Sequence, residues 1–154
     1  MNTAASIRPV MPTDRPAWEQ LYKGYAAFYN VAQTQAMRDT VWTWLMDPQH
    51  ETKALVAVGP HNKIIGLAHY RPFARPLSAT RGGFLDDLFV DPEARGSGAA
   101  DALLEGLAQL GRQHNWSVIR WITAEDNYRA RAVYDRKADR TKWLTYDIKL
   151  TANN

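Results

Sequence analysis

The sequence predicts one α/β (α+β) domain in which helices flank a mixed β-sheet. The chain has 154 residues, so a single domain, residues 1–154, can bury a core of its own. Apolar residues alternate in some segments and recur every three or four residues in others, which indicates strands and helices. The predicted order of elements, β-α-α-β-β-β-α-β-α-β, mixes the two along the whole chain, and this order favours a mixed sheet covered by helices.

The first half of the chain contains three predicted strands and two predicted helices. The strands are SIRPV, TKALVAVG and KIIGLAHYRPF, and PHN between the last two is a hairpin signal. The first helix covers TDRPAWEQLYKGYAAFY, where Thr13 or Asp14 can act as the N-cap. The second helix covers TQAMRDTVWTWLMD, and its spacing predicts one apolar face made of Met37, Val41, Trp44 and Leu45.

The second half of the chain alternates strands and helices. FLDDLFVD is predicted to be a strand, followed by a long helix over GAADALLEGLAQLGRQHN. SVIRWITAE has the composition of a buried strand, and NYRARAVYDRK follows it as a helix. The alternating segment KWLTYDIKL is predicted to be the last strand.

Composition excludes several kinds of chemistry. The chain has no cysteine, which excludes disulfides, thiolate metal sites and a cysteine nucleophile. His69 stands alone without a metal-ligand pattern, so no metal site is expected. The net charge is only +3 and the cations are scattered, so no nucleic-acid partner is expected. Without an apolar leader or a long apolar run, the chain is expected to be cytoplasmic and to bind no membrane.

A strand, a turn of small residues and a helix start follow one another in LFVDPEARGSGAADALLEGL, residues 88–107. A helix N-terminus offers free N–H groups to a phosphate, and Gly96, Gly98, Ala99 and Ala100 leave the approach open. Arg95 can add a charge-assisted hydrogen bond. A plain strand-to-helix turn remains the alternative, because a single G-x-G is a weak signal.

Two segments resemble the GNAT acetyltransferases. VDPEARGSGAADALL is similar to the family signature, a strand ending V-x-P followed by R/Q-x-x-G-x-G/A and a helix. NYRARAVYDR resembles the family segment N-x-x-A-x-x-x-Y, in Asn127, Ala130 and Tyr134. The order of elements is similar over nearly the whole chain. The resemblance implies the GNAT fold, a mixed, mostly antiparallel sheet that splays open between the fourth and fifth strands.

The same resemblance implies acetyl-coenzyme A as the acetyl donor. Its pyrophosphate is expected on the N–H groups of Arg95, Gly96, Ser97, Gly98, Ala99 and Ala100. The pantetheine arm is expected to pair like a strand with the backbone of Leu88, Phe89 and Val90. Asn127 is expected to order its loop or contact the cofactor. The chain departs from the family after Tyr134, because Ala138 replaces a common glycine and Asp139 replaces an aromatic or small residue.

Transfer of an acetyl group to an amine needs a base, a stabilised carbonyl oxygen and an acid for the leaving thiolate. The family resemblance makes Tyr134 the acid, since a phenol is protonated at neutral pH. Without the family resemblance, the better interpretation is that Tyr134 is an ordinary core tyrosine. The segment FLDDLFV is similar to F-L-E-D-x-F/Y-V of diamine acetyltransferases, which places Asp86 where the proposed base stands. Two solvated carboxylates at Asp86 and Asp87 are the alternative.

The acceptor is expected to be a cationic amine. Adjacent strand residues point to opposite faces, so one of Asp86 and Asp87 is predicted to face the acceptor. Glu125 and Asp126 follow the next strand at the same end of the sheet, and this group of carboxylates would attract a cation. Tyr25 belongs to an aromatic stripe that either forms the acceptor wall or is simply core. Its members are Trp18, Tyr22, Tyr25, Phe28 and Tyr29.

The sequence therefore predicts an acetyl-coenzyme A-dependent N-acetyltransferase for a small primary amine, of diamine or polyamine type. A protein lysine or N-terminal amine is the alternative acceptor. A catalytically silent acyl-coenzyme A-binding module that regulates a partner is the alternative of another class. A homodimer is also expected, because the family often forms one and KWLTYDIKL could pair across a two-fold axis.

Overall fold

A five-stranded sheet forms the centre of the computed structural model, which describes residues 5–150. The strands lie in the order β1-β2-β3-β4-β5. The first three pairings are antiparallel and the last, between β4 and β5, is parallel. This confirms the predicted mixed, mostly antiparallel sheet. The strands are β1 (Ser6–Pro9), β2 (Lys53–Val58), β3 (Ile64–Arg75), β4 (Thr80–Val90) and β5 (Ile119–Arg120).

Helices cover both faces of this sheet. They are α1 (Arg15–Phe28), α2 (Gln35–Met46), α3 (Ala99–Gln113) and α4 (Tyr128–Lys137). One face packs against α3 through a cluster that includes Leu55, Leu85, Leu103 and Leu107. The other face packs against α1 and α2 through Trp18, Leu21, Trp42, Val56, Leu67 and Phe89. The sheet is therefore buried on both sides, as the predicted order of elements required.

Asp14 stands directly before α1, but its side chain serves as an anchor for β1. Its carboxylate accepts two hydrogen bonds from the Arg8 guanidinium, at 2.7 and 2.9 Å, and a third from the backbone N–H of Met11 at 2.7 Å. No side-chain cap bond to α1 forms from it. The hydrogen bonds from Arg8 are the main reason that the pKa of Asp14 lies below its ordinary value.

The buried face of α2 differs from the predicted one. Val41 and Leu45 pack against the core as expected, but the residues that α2 buries most fully are Arg38 and Trp42. Met37 and Trp44 are exposed to 46% and 39%. The aliphatic part of an arginine side chain can pack along an apolar surface while its guanidinium binds polar groups. The apolar pattern therefore missed Arg38 as a buried residue of α2.

A β-bulge in β4 changes the directions of its side chains. His69 of β3 is opposite Asp87, whereas Tyr70 is opposite Leu85, so Asp86 is the extra residue. Asp86 pairs with Arg71 and Asp87 with His69. Arg71 and His69 are two residues apart in β3 and share a face. The predicted placement of the two aspartates on opposite faces is therefore wrong, because the bulge interrupts the alternation.

The predicted last strand, KWLTYDIKL, is not part of the sheet. Residues 139–150 have no regular secondary structure, and the side chains of Trp143, Leu144, Tyr146, Ile148 and Leu150 are 78–89% exposed. The neighbouring strand β5 is also much shorter than predicted, two residues in place of nine. A strand forms only where a partner supplies backbone hydrogen bonds, and β5 has a partner along only part of one edge.

None of the helices within residues 5–150 has the length and apolar character required to cross a membrane.

Candidate active site

A cleft opens where β4 and β5 separate. The two strands pair only at Gly83 with Ile119 and at Phe84 with Arg120. Beyond these residues the end of β4, the start of α3 and the inner side of α4 enclose a cavity of about 610 Å³. Leu88, Phe89 and Val90 line it, and β3 pairs with only one edge of these residues. The predicted splay between the fourth and fifth strands is confirmed.

The turn before α3 presents bare backbone to this cleft. Gly96 and Gly98 both have φ of +84°, a left-handed conformation that favours glycine. A Cβ atom added at either residue would meet no atom within 4 Å, so the space in front of the turn is open. The N–H of Ala102 bonds to Gly98 O at 2.9 Å, and the N–H groups of the preceding turn lie at the positive end of the helix.

Three arginines, Arg95, Arg129 and Arg136, line the same cleft. Arg136 also reaches the carboxylate of Asp101 at 3.5 Å, at an exposed position. Guanidinium groups beside a helix N-terminus form a site for phosphate groups. Coenzyme A carries a pyrophosphate and a further phosphate on its ribose, so its charge suits this end of the cleft.

The cleft contains most of the predicted cofactor residues. Its lining includes Leu88, Phe89, Val90, Arg95, Gly96, Gly98, Ala99, Ala100 and Asn127. The side chain of Ser97 accepts a hydrogen bond from the N–H of Ala99 at 3.3 Å and so shapes the turn. The amide of Asn127 donates to the Tyr29 hydroxyl at 3.3 Å and to the Thr123 hydroxyl at 3.1 Å. Asn127 thus connects the end of α1 to the loop before α4.

Tyr134 of α4 lines the same cleft as Gly96 and Gly98. Its ring packs edge-on against Trp121, with 5.3 Å between the ring centroids. Burial, with a smaller contribution from Tyr29, raises the pKa of its hydroxyl to about 12. The phenol therefore keeps its proton at neutral pH, which is the state that a general acid requires.

Asp87 is the centre of a hydrogen-bonded cluster on the α1 side of the sheet. Its Oδ2 lies 2.8 Å from His69 Nδ1 and 3.1 Å from the Tyr22 hydroxyl, which donates to it. His69 is buried, and its Nε2 lies 2.9 Å from the indole nitrogen of Trp18. We call the five residues Trp18, Tyr22, Tyr25, His69 and Asp87 the Asp87 cluster.

The hydrogen bonds of the Asp87 cluster determine where the histidine proton lies. An indole N–H can only donate, so Nε2 of His69 must accept from Trp18. The proton of the neutral ring is then on Nδ1 and is donated to Asp87. Trp18 thereby fixes His69 as a donor to the carboxylate. The buried His69 side chain in turn orients the carboxylate of Asp87.

The two aspartates have pKa values displaced in opposite directions. Burial opposes ionisation of Asp87, but the hydrogen bond from His69, the attraction of its ring when that ring is protonated, and smaller contributions from the Tyr25 and Tyr22 hydroxyls outweigh it and lower its pKa. Burial is the main influence on Asp86 and raises its pKa, against the opposing hydrogen bond from Arg71. Asp87 is therefore the more firmly ionised carboxylate, and Asp86 is the better proton acceptor of the two.

The aromatic stripe of α1 divides between two environments. Trp18 is fully buried in the core, while Tyr22 and Tyr25 are half-buried around Asp87. Phe28 and Tyr29, at the end of α1, line the cleft. The Tyr25 ring packs at a tilt against Tyr29, with 4.9 Å between ring centroids, and edge-on against Phe89 at 5.9 Å. These contacts connect the Asp87 cluster with the cleft.

Glu125 and Asp126 lie on the exposed loop between β5 and α4. Among the described residues, neither lines the cleft or joins the Asp87 cluster through a hydrogen bond or an ion pair. Residues 5–150 also contain no group of three or more His, Asp or Glu side chains that could hold a metal ion.

Sequence reasoning missed His69 and Arg71 as site residues, and it named Trp18 only as part of an aromatic stripe that either forms the acceptor wall or is core. His69 and Asp87 meet because the β3–β4 pairing sets them opposite one another, and the bulge at Asp86 decides that register. No local sequence pattern predicts the bulge at Asp86. The alternation of His69 and Arg71 on β3, opposite the acidic pair of β4, is the only signal that could have indicated them.

Comparison with known proteins identifies the family. Residues 18–138 match the acetyltransferase (GNAT) family model. The chain is 24% identical over 147 residues to the D-amino-acid N-acetyltransferase HPA3 of Saccharomyces cerevisiae, covering 95% of this chain and 91% of that protein. It is 28% identical over 149 residues to YhfO of Bacillus subtilis, an uncharacterised N-acetyltransferase. That match covers 96% of this chain and 99% of YhfO.

Solved structures agree at the level of the fold. A ribosomal-protein-alanine N-acetyltransferase from Brucella melitensis superposes with a TM-score of 0.80 at 22% identity, covering 96% of this chain and all of the other. A probable acetyltransferase superposes with a TM-score of 0.85 at 23% identity, covering 96% of this chain and 99% of the other. These likenesses concern the fold alone. Since the family model spans most of the chain, the protein belongs to the GNAT family of acetyltransferases and is an acyltransferase.

Proposed function

We propose that the protein transfers the acetyl group of acetyl-coenzyme A to a small primary amine, and that the Asp87 cluster receives the amine. The family uses acetyl-coenzyme A as its donor. The observation that carries the proposal is the position of an ionised, hydrogen-bonded carboxylate beside a cleft with a bare helix N-terminus. Anionic donor and cationic acceptor would thus approach from opposite ends of one site.

The reaction is a direct attack. The lone pair of the neutral amine forms a bond to the thioester carbonyl carbon, and the bond from carbon to sulfur breaks. The amine nitrogen loses a proton to a base, and the departing thiolate takes a proton from an acid. We assign the acid to Tyr134, which lines the cleft and keeps its proton.

The displaced pKa values suggest different tasks for the two aspartates. A carboxylate with a lowered pKa is a weak base but a good partner for an ammonium group, so Asp87 is proposed to hold an ammonium group of the acceptor other than the attacking amine. Asp86 has the raised pKa that favours proton acceptance, and it is proposed to act through a water molecule. Tyr25 is proposed to form part of the wall beside the acceptor.

Diamines are the acceptor class that we propose. The bulge brings two carboxylates to one face, so Asp87 can hold the non-reacting ammonium group of a diamine while Asp86, through water, takes the proton of the reacting amine. Glu125, on the nearby loop, is proposed to add to the attraction of a long cationic acceptor.

A second candidate is an amino acid, favoured by Arg71. Its guanidinium lies 3.1 Å from Asp86 and could instead hold the carboxylate of an acceptor whose amine is at Asp87. The yeast relative is named as a D-amino-acid N-acetyltransferase. A lysine or N-terminal amine on a protein is a further alternative, in which the acceptor side would have to admit a peptide.

An amine panel tests the acceptor class. Initial rates of coenzyme A release should be compared for a diamine, a monoamine of equal length, and D- and L-amino acids. If Asp87 holds the second ammonium group of the diamine, its kcat/KM should exceed that of the monoamine by about ten- to a hundred-fold. The preference should shrink as salt is raised. Equal values for the diamine and the monoamine would rule out diamine specificity, and a preference for amino acids would favour the Arg71 alternative.

Two matched variants separate the tasks of the carboxylates. Asp86→Asn should slow a diamine and a monoamine alike if Asp86 is the base. Asp87→Asn should raise KM for the diamine and change that of the monoamine little, because the group that binds the second ammonium is lost. Arg71→Gln should leave diamine turnover largely intact but abolish any activity on amino acids. A silent regulatory module would release no coenzyme A with any amine while still binding acetyl-coenzyme A.

A further inference from the structure

Tyr29 presents a hydroxyl group to the cleft at the end of α1. The residue lines the cleft that also contains Tyr134, and it is 41% exposed, so a bound molecule can reach it. Its ring packs edge-on against Phe28 and at a tilt against Tyr25, with 4.9 Å between ring centroids in each pair. These contacts restrict the ring, so the position of the hydroxyl is set before any ligand binds.

The proton of the Tyr29 hydroxyl is available to a ligand. The side-chain nitrogen of Asn127 can only donate, and it donates one hydrogen bond to the Tyr29 oxygen at 3.3 Å and another to the Thr123 hydroxyl at 3.1 Å. The Tyr29 oxygen is therefore the acceptor in this pair, and its own proton is directed elsewhere. Among residues 5–150 that proton has no hydrogen-bond acceptor. Tyr29 thus offers the cleft one unused donor.

The electrostatic surroundings of Tyr29 connect it with both sides of the proposed reaction. Burial first, and then the charge of Asp87, raise the pKa of Tyr29 above its ordinary value, against the opposing hydrogen bond from Asn127. The hydroxyl therefore keeps its proton at neutral pH and can donate it to a hydrogen bond. Tyr29 in turn contributes to the raised pKa of Tyr134. Its hydroxyl is thus within electrostatic reach of the carboxylate proposed to hold the acceptor and of the proposed acid.

The chemistry of acetyl transfer limits the groups that could accept this hydrogen bond. The lone pair of the attacking amine forms the new bond to carbon, and an ammonium group has no lone pair, so neither nitrogen of a diamine accepts. The departing sulfur takes its proton from Tyr134 in the mechanism proposed above. The carbonyl oxygen of the thioester has free lone pairs and gains negative charge as the bond from nitrogen to carbon forms, so it benefits most from a donor.

We propose that Tyr29 is a further catalytic residue, whose hydroxyl donates a hydrogen bond to the carbonyl oxygen of the thioester. The proposal rests on the function proposed above, because it requires the thioester to lie in this cleft. Tyr29 keeps its proton throughout the reaction. Its hydrogen bond strengthens as the carbonyl oxygen becomes negative, and weakens when the bond from carbon to sulfur breaks and the carbonyl group forms again. The amine proton still passes to the base, and the thiolate is still protonated by Tyr134.

Infrared spectroscopy tests this hydrogen bond in the absence of any amine. Acetyl-coenzyme A with a heavy isotope in its acetyl carbonyl group is bound to the parent, to Tyr29→Phe and to a control, Tyr128→Phe, which changes an exposed ring of α4. A hydrogen bond lowers the stretching frequency of a carbonyl group. We expect a lower frequency in the parent and in the control than in Tyr29→Phe. Equal frequencies in the parent and in Tyr29→Phe would overturn the proposal.

Titration and kinetics separate this proposal from the function on which it rests. Desulfo-coenzyme A, which has no thioester, should bind the parent and Tyr29→Phe equally well. Tyr29→Phe should lower kcat by about ten- to a hundred-fold for a diamine and a monoamine alike, with little change in KM for either amine. A raised KM with unchanged kcat would show that Tyr29 only forms part of the acceptor wall, and would overturn the proposal. If the parent did not bind coenzyme A, the proposed function would fail as well.

Discussion

At the scale of single residues, the site depends on side chains whose protonation states are fixed by their surroundings. Tyr134 keeps its proton because burial raises its pKa to about 12. Asp87 is held ionised by donors that include His69 and Tyr22. A group that donates a proton must still carry one, and a carboxylate that binds an ammonium group must be ionised.

Tyr134→Phe should lower kcat by about ten- to a thousand-fold, because the ring stays and only the proton donor is lost. The affinity for coenzyme A should change little, since the proposed phosphate site is the turn before α3 and not Tyr134. The parent should retain activity from pH ~7 to pH ~10 as far as Tyr134 is concerned, because its hydroxyl stays protonated below its raised pKa.

The matched control is Tyr128→Phe, which removes a hydroxyl from an exposed ring on the same helix. Its kcat should equal that of the parent. If Tyr134→Phe had unchanged kcat under conditions where chemistry limits the rate, Tyr134 could not be the acid.

The sequence predicted several residues that line the cleft but not the contacts of Asp87 with His69 and Trp18. Glycines, a proline and a helix start are local signals, so residues 95–100 could be proposed as a phosphate site without a structure. The pairing of His69 with Asp87 joins two strands across a bulge, and Trp18 comes from a third element. Contacts of this kind depend on register, which no pattern in β3 or β4 alone specifies.

At the scale of elements, specific polar contacts hold the start of α1 in place. Asp14, Arg8 and the Met11 backbone join β1 to the start of α1, the helix that carries Trp18 and Tyr22. The sequence suggested Asp14 as a cap, and the structure uses the same residue for a tertiary anchor. The second helix was predicted correctly in extent but not in its buried face, because a buried arginine does not register as apolar.

Asp14→Asn should reduce the free energy of unfolding by about 1–3 kcal/mol, because Arg8 loses its charged partner at a site where Asp14 is buried. The folded-state pKa of Asp14 is lowered, so its contribution is present above the unfolded value of about 4 and is lost as pH falls through the folded value. The stability gap between parent and variant should therefore close in acid.

Denaturant unfolding at several pH values measures this gap. The control is Asp39→Asn, which removes the carboxylate of an exposed pair with Arg15 and should cost under about 0.5 kcal/mol. A gap that stays constant from neutral pH to below the folded pKa would show that the charge of Asp14 contributes nothing.

At the scale of the whole molecule, the splayed sheet is what makes a binding site possible. If β4 and β5 paired along their full length, Leu88, Phe89 and Val90 would have no free backbone edge, and the cleft of about 610 Å³ would close. The sequence predicted this architecture through the order of its elements and two motifs. It did not predict that the last segment lies outside the sheet. A strand pattern shows that a segment can form a strand, but it does not identify the neighbouring strand.

The central claim is that the turn before α3 binds the phosphates of coenzyme A, and calorimetric titration with desulfo-coenzyme A tests it directly. We expect the parent protein to bind at one site per chain. Gly98→Glu should abolish binding, because it places a side chain and a negative charge where the phosphate meets the helix N-terminus. Gly98→Ala, which adds similar backbone strain at φ +84° but no charge, should still bind, though more weakly. Binding by Gly98→Glu as tight as that of the parent would contradict the assignment of this turn and, with it, the account of the cleft.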